Sequence, residues 1–405
     1  MLAAAFLAAA VSAPGQTFFV ALYVPEIARG LGLTAVAISS VYGMATLAGA
    51  ALLPFVGTWA DRWTAPRFLG AVVGGLGVAL MALASASGPV MLGLAWTALR
   101  CLGQGAVGVG LLAAISRTFV DRRGRALAIG NLGHPFGEFL FPAAIAALLA
   151  VTSWRQSLLT FAVLYLVVFA PMVAVGLRAV PRALPAAVRQ PERQGSVGAE
   201  GFRLGEAVRT REFWVATAVL TAAPVVVTAL LFHQVAFFEG MGLSRLDTPV
   251  ALMYFAAAQV AATVLTGRLV DQGALRGSLA LSCLALAGSP VCLALPLPEA
   301  MRVGLYGSAL GYATGGAAVA GGALWPAYFG LAAIGKIRAL TSGIRNAATA
   351  GAPLLVAIVV ERSDLASALL VLVSIGVVAL LLTLSLPQPR RAVLRTAPLE
   401  SGGDL

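Results

Sequence analysis

Residues 100–138 read RCLGQGAVGVGLLAAISRTFVDRRGRALAIGNLGHPFGE. One apolar segment carries Arg100 near its middle, and a basic loop from Asp121 to Arg125 follows. A second apolar segment then carries His134, Pro135 and Glu138. Ionisable groups inside apolar segments of this length are costly to keep, so they are rarely accidental. That argument holds only if the surroundings are a membrane, which the rest of the chain decides.

The chain of 405 residues is 60% hydrophobic and 11% charged, with mean hydropathy +0.93. Soluble domains carry about 25% charged residues. About 20 apolar residues cross a bilayer as a helix. Twelve such segments are legible, near 2–28, 36–59, 68–87, 90–117, 126–150, 156–177, 212–238, 248–270, 278–296, 299–329, 339–361 and 364–386. The expected fold is an all-α membrane protein: a six-helix half at 1–177, a linker at 178–211, a second six-helix half at 212–386 and a tail at 387–405. The start resembles a signal peptide, but apolarity continues to Val24 and no basic residues precede it, so it reads as a true first span whose natural start lies a little upstream.

The net charge of +11 is explained by position and needs no nucleic acid. With the N-terminus inside, the outer loops hold only Arg29, Arg155, Arg245, Arg302 and Arg362, and Arg100 and Arg345 fall within spans. The other basic residues lie in inner loops, the linker and the tail, which places both termini in the cytoplasm. Arginine outnumbers lysine 26 to one, with abundant Ala, Gly and Val, as GC-rich bacterial coding would give, so a bacterial inner membrane is expected. Cys101, Cys283 and Cys292 lack the spacing of a disulfide framework or zinc site. No metal, cofactor or enzyme constellation is legible, and no Walker loop with its lysine is present, which excludes ATP-driven transport within this chain.

The two halves repeat each other. Ala13-Pro14 recurs as Ala223-Pro224, Gly30–Thr34 as Gly240–Ser244, and Gly57 with Asp61 as Gly267 with Asp271, all offset by 210. Arg125–Leu127 recurs as Arg338–Leu340. Parallel halves of this kind face each other about an axis along the membrane normal and bind cargo between them. In this the chain resembles a transporter of the major facilitator superfamily over essentially its whole length. Arg100-x-x-Gly103-Gln104-Gly105 and the run from Arg122 to Gly130 resemble its monocarboxylate and oxalate/formate branches. The resemblance implies alternating access and an inner gate at the loop signature Gly57, Asp61 and Arg62, repeated at Gly267 and Asp271 without the second arginine. Gly57 would let a neighbouring helix approach closely. The alternative is that Asp61 and Arg62 are merely interfacial charges.

At 1.5 Å per residue, Arg100 lies ~15 Å and Glu138 ~18 Å deep on consecutive helices, so the two are expected to meet. They read as a cargo-binding or proton-coupling pair, or alternatively as a static lock. His134 shares a helical face with Glu138. Arg345 lies ~10 Å into the eleventh span, facing the cavity or snorkelling. Gln16, Gln104, Gln259 and Tyr312 are candidates to line a polar cavity, and the glycines around Tyr312 suggest a tenth span as flexible as the fourth. A small organic anion, monocarboxylate-like and moved with a proton, is the expected cargo. A proton-driven exporter of drugs or amphiphiles is the alternative, and a sensor on the same scaffold a third. The oligomeric state is not legible.

Overall fold

The computed structural model describes residues 1–119, 123–180, 201–330 and 332–387. The expectations attached to Asp121, Arg122, most of the linker and most of the tail lie outside these residues. Twelve helical passes follow one another. We label them α1 (2–31), α2 (Ala35–Arg62), α3 (Ala65–Ala84), α4 (Pro89–Thr118), α5 (123–151), α6 (Trp154–Gly176), α7 (Arg211–Phe232), α8 (Asp247–Asp271), α9 (Leu275–Ala294), α10 (Glu299–Phe329), α11 (Ile334–Arg362) and α12 (Leu365–Ser385). Ten of them are long and apolar enough to cross a bilayer. The exceptions are α1, which is broken, and α10, whose glycines dilute its hydropathy over 31 residues. Side-chain caps start several of the helices. Thr34 accepts from the Ala37 amide at 3.1 Å, Ser153 and Gln156 form a capping box, and Asp364 accepts from the Ser367 amide at 2.7 Å.

Departures from regular helix include a π turn at Tyr165–Phe169 in α6 and, at the cavity, breaks in α1 and α4. In α1, the helix Leu2–Ala10 ends in a 3-10 turn at Ala13–Gly15, and the chain restarts as Thr17–Ala21 and Val24–Leu31. Pro14 has no amide hydrogen to give, and Gln16 takes an extended conformation, φ −94° and ψ 152°. In α4 a π turn occupies Arg100–Ala106, the stretch RCLGQGA. Such turns are often found at functional sites. By contrast α10 runs as one helix from Glu299 to Phe329.

Glycines let α10 lie close against α8. Gly307, Gly311 and Gly315 on α10 lie against the carbonyls of Ala251, Phe255 and Gln259 on α8, the same four-residue step on both helices. A Cβ at any of the three would collide with a carbonyl oxygen, so the stripe serves close packing. On the other half, α1 is wedged between α4 and α5. Gly103 of α4 lies against Ser12 and Gly15, while Gly133 and Gly137 of α5 lie against Phe6 and Ala10.

Helices α1 to α6 pack mainly among themselves, as do α7 to α12. The two groups meet where α2 packs on α11, α5 on α8, and Thr17–Ala21 on α7. We call the face that carries the end of the linker the linker face, and its opposite the far face. Contact between the groups is tight towards the far face. Gly43 of α2 sits against the Ala350 carbonyl of α11, and the Tyr42 and Phe232 rings are 4.6 Å apart. On the linker face, Gly201 pairs with Gly330, and the Phe202 amide donates to the Phe329 carbonyl at 2.9 Å. The end of the linker is thereby docked on the turn between α10 and α11.

Candidate functional site

Between the two groups, on the linker side of the Tyr42–Phe232 contact, lies a cavity of about 440 Å³. The break in α1 presents Gln16, Thr17 and Phe18 to it. Gln104 from the π turn of α4 and Glu138 from α5 complete the wall on that side. The opposite wall is built by α7, α8, α10 and α11, and α11 contributes Arg338, Thr341, Ser342, Arg345, Asn346 and Thr349. Those positions step by three and four residues, so they form one face of the helix. The Arg345 guanidinium donates to Ser342 Oγ at 3.5 Å. Three ion pairs exist among the described residues, and none involves Arg338, Arg345 or Glu138. The Oε2 of Glu138 is buried without a hydrogen-bond partner.

The expected meeting of Arg100 and Glu138 does not occur. Arg100 is 4% exposed, donates from Nη1 to the Gly15 carbonyl at 3.0 Å, and lies over the Tyr42 ring, 5.1 Å from its centroid. The reason is α1, whose glycine-lined seats on α4 and α5 insert it between the two charges. Depth was a sufficient guide to neither neighbour nor direction. Arg100 therefore stands behind the wall, and Glu138 faces the cavity alone.

His134 does not bond Glu138. Its Nδ1 lies 3.1 Å from Ser12 Oγ, and Ser12 gives its one proton to the Ala9 carbonyl at 2.7 Å. Gln259 and Tyr312 sit behind the cavity wall, and Gln259 Oε1 and the Tyr312 hydroxyl are buried without partners. Of the expected cavity residues, the structure brings Gln16, Gln104, Glu138 and Arg345 to one space and leaves Arg100, His134, Gln259 and Tyr312 outside its lining.

At the expected inner gate, a Cβ on Gly57 or Gly267 would meet nothing within 4 Å. The close approach expected there is absent in this structure. Arg62 and Asp271 are exposed and make no ion pair among the described residues, and the Asp61 side chain lies outside the described residues. Near them, the buried Arg117 of α4 donates to the Ala60 carbonyl of α2 at 3.4 Å.

The far face carries a cluster that sequence reasoning missed. Glu26 Oε1 accepts from Arg245 at 2.6 Å and from Arg29 at 3.0 Å, and Arg245 also reaches Glu239 at 2.8 Å. Arg245 thus ties α1 to the loop between α7 and α8. No local pattern announces a pair drawn from opposite halves. The polar stripe on α11 was missed as well, although its helical period from Arg338 to Thr349 is a signal that could have found it.

The fold superposes on solved structures of transporters. A bacterial homologue of the human lysosomal transporter Spinster, inward-facing and occupied, matches at TM-score 0.69 and 13% identity, with 95% of each chain covered. Its inward-facing, unoccupied form matches at TM-score 0.67 and 14% identity, covering 95% of this chain and 94% of that one. A variant of the nucleoside transporter NupG matches at TM-score 0.68 and 12% identity, covering 95% and 98%. At these identities the likeness shows the fold alone. No curated protein matches the sequence. The family model of the Major Facilitator Superfamily matches residues 5–307, which is most of the chain, and the protein is a member of that superfamily.

Proposed function

We propose that this transporter moves a small organic anion by alternating access, with a proton as the coupling ion. The observation that carries the reading is the charge of the cavity. Arg338 and Arg345 line one wall with no carboxylate within ion-pair distance among the described residues. A guanidinium in a protein-lined cavity is stabilised by a ligand of opposite charge. Across from them, Glu138 is the single carboxylate of the lining. Intramembrane carboxylates mark proton relays, and one with an unpartnered oxygen can gain and lose a proton without dismantling a local network. The excess of arginine on the linker face supports a cytoplasmic linker and termini, in a bacterial inner membrane, with the cavity open inward. Asp61, Arg62 and Asp271 then belong to the inner gate.

The test is uptake and counterflow of labelled carboxylates in proteoliposomes, with and without an imposed pH gradient. Accumulation driven by the gradient is expected, and inertness towards every small anion overturns the reading. A shift in drug susceptibility of an efflux-deficient host would instead favour an exporter. Glu138→Gln is expected to bring gradient-driven uptake to background while exchange stays within roughly threefold, because the neutral side chain keeps the shape and hydrogen-bonding reach of the protonated acid. Uptake that keeps its pH dependence in this variant would make Glu138 structural.

A further inference from the structure

We infer that the cargo is a hydroxylated organic anion of about the size of a sugar acid, in preference to a plain alkyl carboxylate. The inference rests on the organic-anion reading above and narrows it.

Size is the first argument. A space of about 440 Å³ holds about fifteen waters at roughly 30 Å³ each. A three-carbon carboxylate displaces only about three or four of them. The rest would remain as bulk-like solvent around a small cargo, with few contacts to distinguish it.

The second argument is the direction of the hydrogen bonds. Thr217 donates its hydroxyl proton to the Phe213 carbonyl at 2.7 Å, and Thr314 donates to Leu310 at 2.9 Å. Thr341 donates to Ile337 at 3.0 Å, and Thr349 to the Arg345 carbonyl. All four line the cavity. Each has spent its only donor on its own helix, so what it offers a cargo is lone pairs. The cationic donors are gathered on α11, in Arg338 and Arg345, with the Asn346 amide beside them, while Gln16 and Gln104 across the cavity offer amides that both donate and accept. The lining therefore asks for an anionic group at α11 and for hydrogen-bond donors beside it, which meet Thr341 and Thr349 on the same helix and Thr217 and Thr314 on α7 and α10. An alkyl carboxylate meets the first demand and sets methylenes against the threonine oxygens, stripping them of water without replacement. A polyhydroxylated acid meets both.

Three probes separate the parts of this claim in counterflow and equilibrium binding with the reconstituted full chain: gluconate, hexanoate and glucose. Gluconate is expected to compete at least tenfold better than hexanoate, since a site built around hydrogen bonds discriminates strongly against an analogue lacking the groups. Glucose, without charge, is expected not to compete. Thr314→Val and Thr341→Val keep volume and remove the acceptor, so each is expected to weaken gluconate roughly three- to tenfold while leaving hexanoate within about twofold. Hexanoate binding as tightly as gluconate overturns the inference and leaves the organic-anion reading standing. Failure of both anions removes that reading as well, and glucose matching gluconate overturns the need for charge. Loss of hexanoate in both valine variants would signal misfolding, and the wild-type ranking of the three probes then decides alone.

Discussion

A guanidinium presents five N–H donors in one rigid plane, with two faces that stack on aromatic rings. At Arg100 the plane is used on both counts: Nη1 holds the Gly15 carbonyl, and the face lies over Tyr42. The Tyr42 hydroxyl is 2.9 Å from Thr17 Oγ1, and Thr17 is in the cavity wall. Arg100 thus braces the break in α1 from behind and fixes where Gln16 and Thr17 point, which makes it a positioning residue. Lysine keeps the charge but has neither the plane nor the fork. Arg100→Lys is therefore expected to slow exchange about tenfold or more while cargo affinity stays within about threefold, as a loss of positioning costs turnover more than ground-state binding. Binding by scintillation proximity, set against counterflow rates, checks this. An affinity that collapses while turnover survives would return Arg100 to the role of cargo ligand.

At the scale of elements, glycine decides which helices come close. A methyl group at Gly311 would enter the Phe255 carbonyl, with backbone on both sides that cannot yield, whereas one at Gly343 meets nothing within 4 Å. Gly311→Ala is expected to lower stability by about 1–3 kcal/mol, as overpacking of a close interface does. Gly343→Ala is expected to be neutral or slightly stabilising, because alanine favours helix over glycine. Thermal unfolding in detergent reads the difference, and equal effects would mean that α8 and α10 separate freely. Much of this level was legible beforehand. Hydropathy located the helices, and the recurrence of Gly57 and Asp61 as Gly267 and Asp271 announced the doubled fold. What escaped were departures from period. The π turn at Arg100–Ala106 adds a residue to a glycine-rich run whose sequence looks the same with or without it. Arg100 and Glu138 were matched by depth, yet a sequence of spans does not say that α1 lies between α4 and α5. The open space at Gly57 and Gly267 has another origin, for one sequence must encode both states of a transporter and only one is seen at a time.

On the scale of the whole molecule, alternating access requires two arrangements within a few kcal/mol of each other, so each closed face must be held firmly but reversibly. The far face is held by apolar packing at Gly43–Ala350 and Tyr42–Phe232, and by the pair of Arg245 with Glu26. The Arg245 side chain is 43% exposed and that of Glu26 16%, so solvent screens the pair and its worth is about 1 kcal/mol or less. That is a small lock, suited to tuning an equilibrium. Arg245→Gln removes the cation from both Glu26 and Glu239, and is expected to raise the far-open population up to about fivefold. A cysteine at Thr228, in the cavity wall of a background in which Cys101, Cys283 and Cys292 are alanine, should then react faster with an impermeant maleimide from the far face. Salt offers an internal control. In the chain that keeps Arg245 the labelling rate should climb with ionic strength as the pair is screened, while Arg245→Gln should have lost most of that dependence. Equal labelling in the two chains at every salt concentration would mean that packing alone closes the far face. In that event the free energy separating the two states would reside in the aromatic and glycine contacts, and the charges of Glu26, Arg29, Glu239 and Arg245 would be only surface pairs that happen to meet.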